Sequence, residues 1–493
     1  MRKIGFDNEL YVKLQTETIK ERIKMFDNKL YLEFGGKLLD DHHAKRVLPG
    51  FKLDSKIRLL EELKDDTEVI ICINANDIER KKIRADYGTS YATEVFRLIS
   101  IFKKLNISVN SVVITLYKGQ TGVDKFRKDL DKINIKTYIH TATKGYPTNV
   151  DVIVSEEGYG ANPYIETTKP LVVVTAPGPC SGKLATSLSQ LYHEYKRGIK
   201  AGYAKFETFP VWSLPLKHPI NVAYEAATAD LKDVNMIDSF HLEAYGISAV
   251  NYNRDLAVFP VLKDILHKIT GKDIYKSPTD MGVNSIGKCI INDDVVKEAA
   301  RKEIVRRYYK ALVEDKINDS SNDVSERIKL LMNELNISDK ELKVIEAARK
   351  KRDKVKRDVI ALELDNGKII LGKQTELLSA AGSLILNCIK YLTDIPDEIK
   401  LLSPSVLKPI LKLKKGYFEN NTILDLNEVL IALSICSVTN PTVEKALKNL
   451  KRLKYCDAFA TYIVDKNDLT SIRNLSINLI CDPVFSNNYK KKA

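Results

Sequence analysis

Between Leu171 and Ser187 the chain reads LVVVTAPGPCSGKLATS, an aliphatic run leading through a Gly/Pro-rich turn into a Gly-Lys pair and small helix formers. A phosphate cradle needs a strand, a turn whose backbone N–H groups face the ligand, a lysine for the outer phosphates and a Ser/Thr for Mg²⁺. The first three parts stand here in order, and a helix opening at Lys183 would add the positive end of its dipole. The GxxxxGK[ST] pattern is missed at both ends, because Pro177 takes the first glycine position and Leu184 the Ser/Thr position. Leucine cannot ligate a metal, so metal use stays open. Pro177 and Pro179 carry no N–H, which leaves Gly178, Cys180, Ser181, Gly182 and Lys183 as the expected anion-binding residues. The competing reading is a proline-stiffened turn whose lysine points to solvent.

A second concentration of chemistry follows the aliphatic run EVIICI. INANDIERKKIRADYG gathers Asn74, Asn76, Asp77, Arg80, Lys81, Arg84 and Asp86. Carboxylates beside guanidinium groups at the end of a strand can orient a sugar-phosphate or metal-bound substrate. Asp77, Arg84 and Asp86 are therefore the candidate catalytic residues, against the alternative of an N-capped, solvated helix. Gly35-Gly36-Lys37 resembles the glycine-rich opening of amino-acid kinases, but Glu33 stands where that family carries lysine, which favours an ordinary glycine turn. HLEAYG (His241, Glu243) and SPTDMGVN (Asp280, Asn284) are further polar clusters in turns, and turns are polar for conformational reasons alone.

These residues need a scaffold, and the hydrophobic pattern predicts an α/β one. LYLEF, EVIICI, SVVITL, IKTYIH, DVIVS and LVVVT read as strands, with helices at about 9–25, 90–104 and 122–133. Nearly continuous Val/Ile strands alternating with helices predict a mostly parallel sheet covered on both faces. Ligands of such sheets sit beyond the carboxyl ends of the strands, where NANDIER and APGPCSGK would fall. Long charged helices follow from 286 to 357, broken at NDSSND, and read as a helical spacer. A smaller carboxyl-terminal α/β domain is expected over 358–493, opened by the hairpin VIALELDNGKIILG and closed by strand patterns at TYIVD and INLIC. The first domain, 1–285, is the one with the phosphate-cradle features.

Composition narrows the function classes. The 493 residues are 44% hydrophobic and 29% charged, without an apolar stretch long enough to span a bilayer or an apolar core near the start, so a cytoplasmic protein with no membrane partner is expected. Seven scattered cysteines without a CxxC pair argue for reduced thiols and against structural zinc. The net charge of +13 comes from lysines dispersed among 65 acidic residues, which predicts at most weak, sequence-independent nucleic-acid binding. The densest basic run, seven Lys/Arg between Arg349 and Arg357, reads as a solvated helical face, with a phosphate-binding patch as the alternative.

The strings NANDIERKKIRADYG, APGPCSGKLATSLSQLYHEYKRG, HPINVAYEAATADL, NRDLAVFPVL, SPTDMGVN and LSICSVTNP together resemble a bacterial family catalogued as domain of unknown function 1846. The resemblance runs over nearly the whole chain. It implies a bacterial cytoplasmic protein with an α/β amino-terminal region, a helical part and a distinct carboxyl-terminal domain, and it brings no catalytic residue with it. Two functional expectations stand beside it. One is a transferase using a nucleotide or phosphorylated metabolite between Lys183 and the 74–86 cluster. The other is a homo-oligomeric scaffold whose turn binds an anion.

Overall fold

The computed structural model describes residues 3–84, 88–319, 323–417 and 422–486. It separates into two compact units, residues 4–300 and 301–493, the second also taking residues 1–3. In the first unit, β1 (Leu30–Phe34), β2 (Thr67–Asn74), β3 (Ser108–Thr115), β4 (Lys136–Ile139), β5 (Leu171–Thr175) and β6 (Gly202–Phe206) join one sheet. A short hairpin, β7 (Asn235–Ile237) and β8 (Val250–Tyr252), stands apart, and β9 (Gly282–Val283) completes the sheet in the order β4-β3-β2-β5-β1-β6-β9. Every pair in that sheet is parallel. The expected α/β class and parallel arrangement are therefore present. Every residue of β5 is buried, as is every residue of β2 before Asn74, which is why these strands read as unbroken Val/Ile runs.

Strand order positions the site. The chain leaves β2 toward β3 on one side and leaves β5 across β1 toward β6 on the other. Crossovers that diverge in this way open a crevice at the carboxyl ends of the two strands. Asn74 ends β2 and the 176–182 turn follows β5, so both sequence clusters border this crevice.

DVIVS is not a strand. Val150–Ile153 forms a single helical turn, because the Asn149 side chain accepts the Val152 N–H at 3.1 Å and closes the backbone locally. That cap outweighs the β propensity of three branched residues, which depends on finding a partner strand. β6, β9 and the β7–β8 hairpin were not legible, since GYAKF mixes glycine and lysine into a strand and β9 is two residues long.

The second unit contains a four-stranded sheet in the order β11-β10-β12-β13. β10 (Val359–Glu363) and β11 (Ile369–Lys373) are the expected hairpin, with Gly367 at φ +80° in its turn. β12 (Asp457–Ala460) lies just upstream of TYIVD, and β13 (Asn478–Cys481) falls on INLIC. Helices Ala380–Thr393, Pro404–Tyr417 and Leu426–Ser437 lie in the chain between the hairpin and β12.

The helices read as a spacer are not independent of this sheet. From Arg301 onward they belong to the second unit. Arg306 bonds Asp457 at 2.8 Å, Tyr309 packs edge-on against buried Phe459, Arg349 bonds Asp482 at 2.6 Å, and Arg352 donates to the Thr461 carbonyl at 2.6 Å. Two cations of the 349–357 run are thus spent inside the unit. A fragment 301–493 is expected to melt cooperatively, whereas 358–493, with Phe459 and Asp457 uncovered, should aggregate or melt without cooperativity; calorimetry of the two distinguishes them.

Asp468 in this unit is fully buried and accepts the Leu426 N–H at 2.6 Å. Burial, reinforced by Asp465, pushes its carboxyl up to about 7. The folded chain then holds this proton more tightly than the unfolded chain, so stability is lost as pH rises from about 4 toward 7. Asp468→Asn keeps the acceptor without the charge and is expected to stabilise the protein by about 1–3 kcal/mol at pH 8. The gain in melting temperature should shrink on going to pH 5; a gain that is independent of pH would refute the assignment.

Candidate functional site

The turn after β5 is built by left-handed backbone and by two anchors from neighbouring strands. Cys180 sits at φ +56° and Gly182 at φ +80°. Gly182 is required twice over, because a Cβ there would lie 2.8 Å from Thr115 Cγ2 as well as demanding a conformation that side chains resist. Gly178 is required by Tyr91, whose ring would lie within 2.6 Å of an added Cβ. The Ser181 carbonyl accepts the Thr115 hydroxyl at 2.8 Å, and the Cys180 carbonyl accepts Asn74 Nδ2 at 3.3 Å. The Ser181 hydroxyl donates to the Gly178 carbonyl at 2.5 Å.

The carbonyls of the turn are thereby committed to the ends of β2 and β3. Most of its amides are not. Among the described residues, the N–H groups of Gly178, Cys180, Gly182 and Lys183 have no protein acceptor, whereas 179–180 is a hydrogen-bonded turn that directs the Ser181 N–H back on Gly178; the helix Lys183–Lys196 has no side-chain cap. A run of amide donors at an uncapped helix start is an anion-binding geometry.

Lys183 does not follow the competing, solvent-pointing reading. Its side chain is 13% exposed, and the ammonium lies 3.9 Å from Glu33 Oε1 rather than in solvent. Glu33 is on β1, next to β5, and its Oε2 accepts the Tyr203 hydroxyl at 2.9 Å. Glu33 and Lys205 are register partners on β1 and β6. Lys205 bonds Asp255 and lies 3.0 Å from Glu207 Oε1. Burial opposes the charge on Lys205, but Asp255, Glu207 and Glu33 outweigh it and hold the ammonium above the ordinary lysine range. Burial pushes the Glu207 carboxyl up. The Gly35 that follows β1 donates its N–H to the Phe206 carbonyl at 3.0 Å, and a Cβ there would lie 2.8 Å from that oxygen, so this glycine serves strand packing.

The 74–86 cluster adjoins the turn, with the charges of Asp77 and Arg84 already paired. Asp77 is buried and lies 3.4 Å from the Lys82 ammonium, which sits over the Tyr91 ring at 4.9 Å, the ring that packs on Gly178. Arg84 bonds the buried Glu94 at 2.8 Å, and Arg97 bonds the same carboxylate. Asp86 lies outside the described residues. Of the other polar clusters, His241 is fixed by Ser277 at 2.9 Å, Asp280 by the Tyr245 hydroxyl at 2.7 Å, and Asn284 donates to the Pro210 carbonyl at 3.1 Å. They hold turns together. Tyr203, Lys205, Glu207 and Asp255 were missed from sequence; two charges alternating at the end of GYAKFE were their one visible signal.

The family model described as "Domain of unknown function DUF1846, N-terminal" matches residues 4–336, and its C-terminal counterpart matches residues 340–490. The chain belongs to the DUF1846 family. A UPF0371 protein of Clostridium tetani (strain Massachusetts / E88) is 55% identical over 493 residues, covering 98% of each chain. A UPF0371 protein of Clostridium botulinum (strain ATCC 19397 / Type A) is likewise 55% identical with 98% coverage of both. The DUF1846 resemblance read from the sequence is therefore correct over its whole extent. Among the described residues of this family member, no group of three or more His, Cys, Asp or Glu side chains is arranged to hold a metal ion, and no helix is long and apolar enough to cross a membrane.

Among the seven cysteines, Cys180 is exposed, Cys481 is partly covered and the rest are buried. Burial pushes the thiols of Cys72 and Cys481 up to about 12. Iodoacetamide at neutral pH is expected to label Cys180 first, which peptide mass spectrometry reads directly. Faster labelling of any other cysteine would contradict the exposed geometry of the turn.

Proposed function

We propose that this chain binds a phosphorylated small molecule, a nucleotide or phosphometabolite, on the 178–183 turn and acts on it as a transferase. The observation that carries the reading is the commitment of the Cys180 and Ser181 carbonyls to Asn74 and Thr115, while the amides of Gly178, Cys180, Gly182 and Lys183 have no protein acceptor among the described residues. Lys183 supplies the cation, and its counter-ion Glu33 keeps the ammonium at the edge of the sheet. Asp77 and Arg84 border the same crevice, where they shape it through Tyr91 and Glu94. A thermal-shift panel of inorganic phosphate, nucleotides and sugar phosphates, each beside its unphosphorylated counterpart, tests this. Stabilisation by phosphorylated members alone supports the reading, since a ligand that binds only the folded state raises the melting temperature by mass action. A flat response to the whole panel at millimolar concentration overturns it.

Self-association is the second reading, favoured by one observation. On helix Leu426–Ser437 and its C-cap, Ile431, Ile435 and Val438 are 53%, 51% and 83% exposed along one stripe without charge. Sedimentation of wild type and Ile435→Glu decides it. A wild-type dimer or larger assembly that becomes monomeric in the variant supports the reading, and a monomeric wild type ends it.

A further inference from the structure

The turn accounts for one end of a ligand; the carboxylates of β1 and β6 bear on the other. Glu33 is 8% exposed, and while Oε2 takes the Tyr203 hydroxyl, Oε1 has no hydrogen-bond donor among the described residues, the Lys183 ammonium standing at 3.9 Å. It is a largely buried acceptor without a donor, beside the residue that opens the helix. One strand further on, Glu207 and Asp255 share the ammonium of Lys205. The side chains of Glu33, Lys183, Glu207, Lys205 and Asp255 are between 11% and 24% exposed, enclosed yet reachable by solvent. β5, β1 and β6 are consecutive in the sheet, so the turn and Glu207 are two strand spacings apart, about 10 Å.

The charges select what can lie there. Carboxylates accept hydrogen bonds and repel a second phosphate. The ammonium groups of Lys183 and Lys205 already stand against these carboxylates, so the cluster has little call for a further cation. What remains is a neutral group rich in donors, and several hydroxyls on a short carbon skeleton satisfy that over about 10 Å.

We propose that the ligand of this site is a phosphorylated sugar whose phosphate occupies the 178–183 turn and whose hydroxyls donate to Glu33 Oε1 and Glu207. The inference rests on the phosphate-binding reading above and adds the chemical class of the rest of the ligand. Sugar hydroxyls then donate to both carboxylates, as Tyr203 already does to Glu33.

Titration calorimetry of the full chain with inorganic phosphate, butyl phosphate, ribose 5-phosphate and glucose 6-phosphate separates the two claims. At least one sugar phosphate is expected to bind ten-fold or more tightly than both inorganic phosphate and butyl phosphate. Glu207→Gln should cost that sugar phosphate at least ten-fold more affinity than it costs inorganic phosphate, with Asp255→Asn as the companion variant. Butyl phosphate binding as tightly as the sugar phosphates would overturn the sugar assignment and leave the phosphate site standing. No binding by any of the four would overturn both. Should both variants fail to fold, the wild-type series alone decides.

Discussion

Lys183→Met is expected to weaken a phosphate ligand by about 10- to 150-fold, the loss that follows from removing charge-assisted hydrogen bonds worth roughly 1.5–3 kcal/mol. It should also destabilise the fold, because Glu33 is left in a largely buried position with Tyr203 as its remaining partner. Breaking one side of a well-formed buried pair costs about 3–5 kcal/mol, and the 3.9 Å separation places this one lower, at about 1–3 kcal/mol. The double variant Glu33→Gln/Lys183→Met separates the effects. With the orphaned charge gone, melting temperature should return toward wild type while ligand affinity stays low. Unchanged affinity in the single variant would mean that the amides alone hold the anion or that the turn binds none, and calorimetry with the ligand found by thermal shift distinguishes these.

Glu94→Ala is expected to be among the most destabilising single changes in the first unit. Glu94 is 1% exposed and receives Arg84 at 2.8 Å and Arg97 at 2.8 Å. Its removal takes this partner from the 11% exposed Arg84, whereas Arg97 is 35% exposed and keeps Asp40 at 3.7 Å, so the loss falls toward the lower end of the about 3–5 kcal/mol for breaking a buried pair. Glu94→Gln should cost less, since it retains an acceptor oxygen. The helix Tyr91–Lys104 carries both Glu94 and the Tyr91 ring that supports Gly178, so ligand affinity should fall together with stability. Chemical denaturation of the wild type and both variants measures the ranking. A loss below about 0.5 kcal/mol for Glu94→Ala, the range of surface substitutions, would show that the three charges do not act as a buried network.

Much of the scaffold follows from the sequence alone, for a physical reason. Strands buried on both faces need apolar residues at every position, so LVVVT and EVIICI announce a parallel sheet, and the Gly/Pro-rich stretch after LVVVT announces a turn. Family membership was legible in the same way, in long strings matched in order. The failures share a cause. DVIVS has the composition of a strand, but a strand exists only with a neighbour to pair with, and Asn149 closes a helical turn there first. Where the charges of the site point was decided by tertiary structure. The sequence leaves Lys183 open between an anion ligand and a solvent-facing lysine; the adjacency of β1 and β5 sets Glu33 beside it across a gap of more than 140 residues. Lys205, Glu207 and Asp255 become one group only when the helix Asn253–Thr270 lies against β6. Local pattern determines which face of a strand is apolar; strand order determines which charges meet, and strand order is set by crossovers that a single sequence does not reveal.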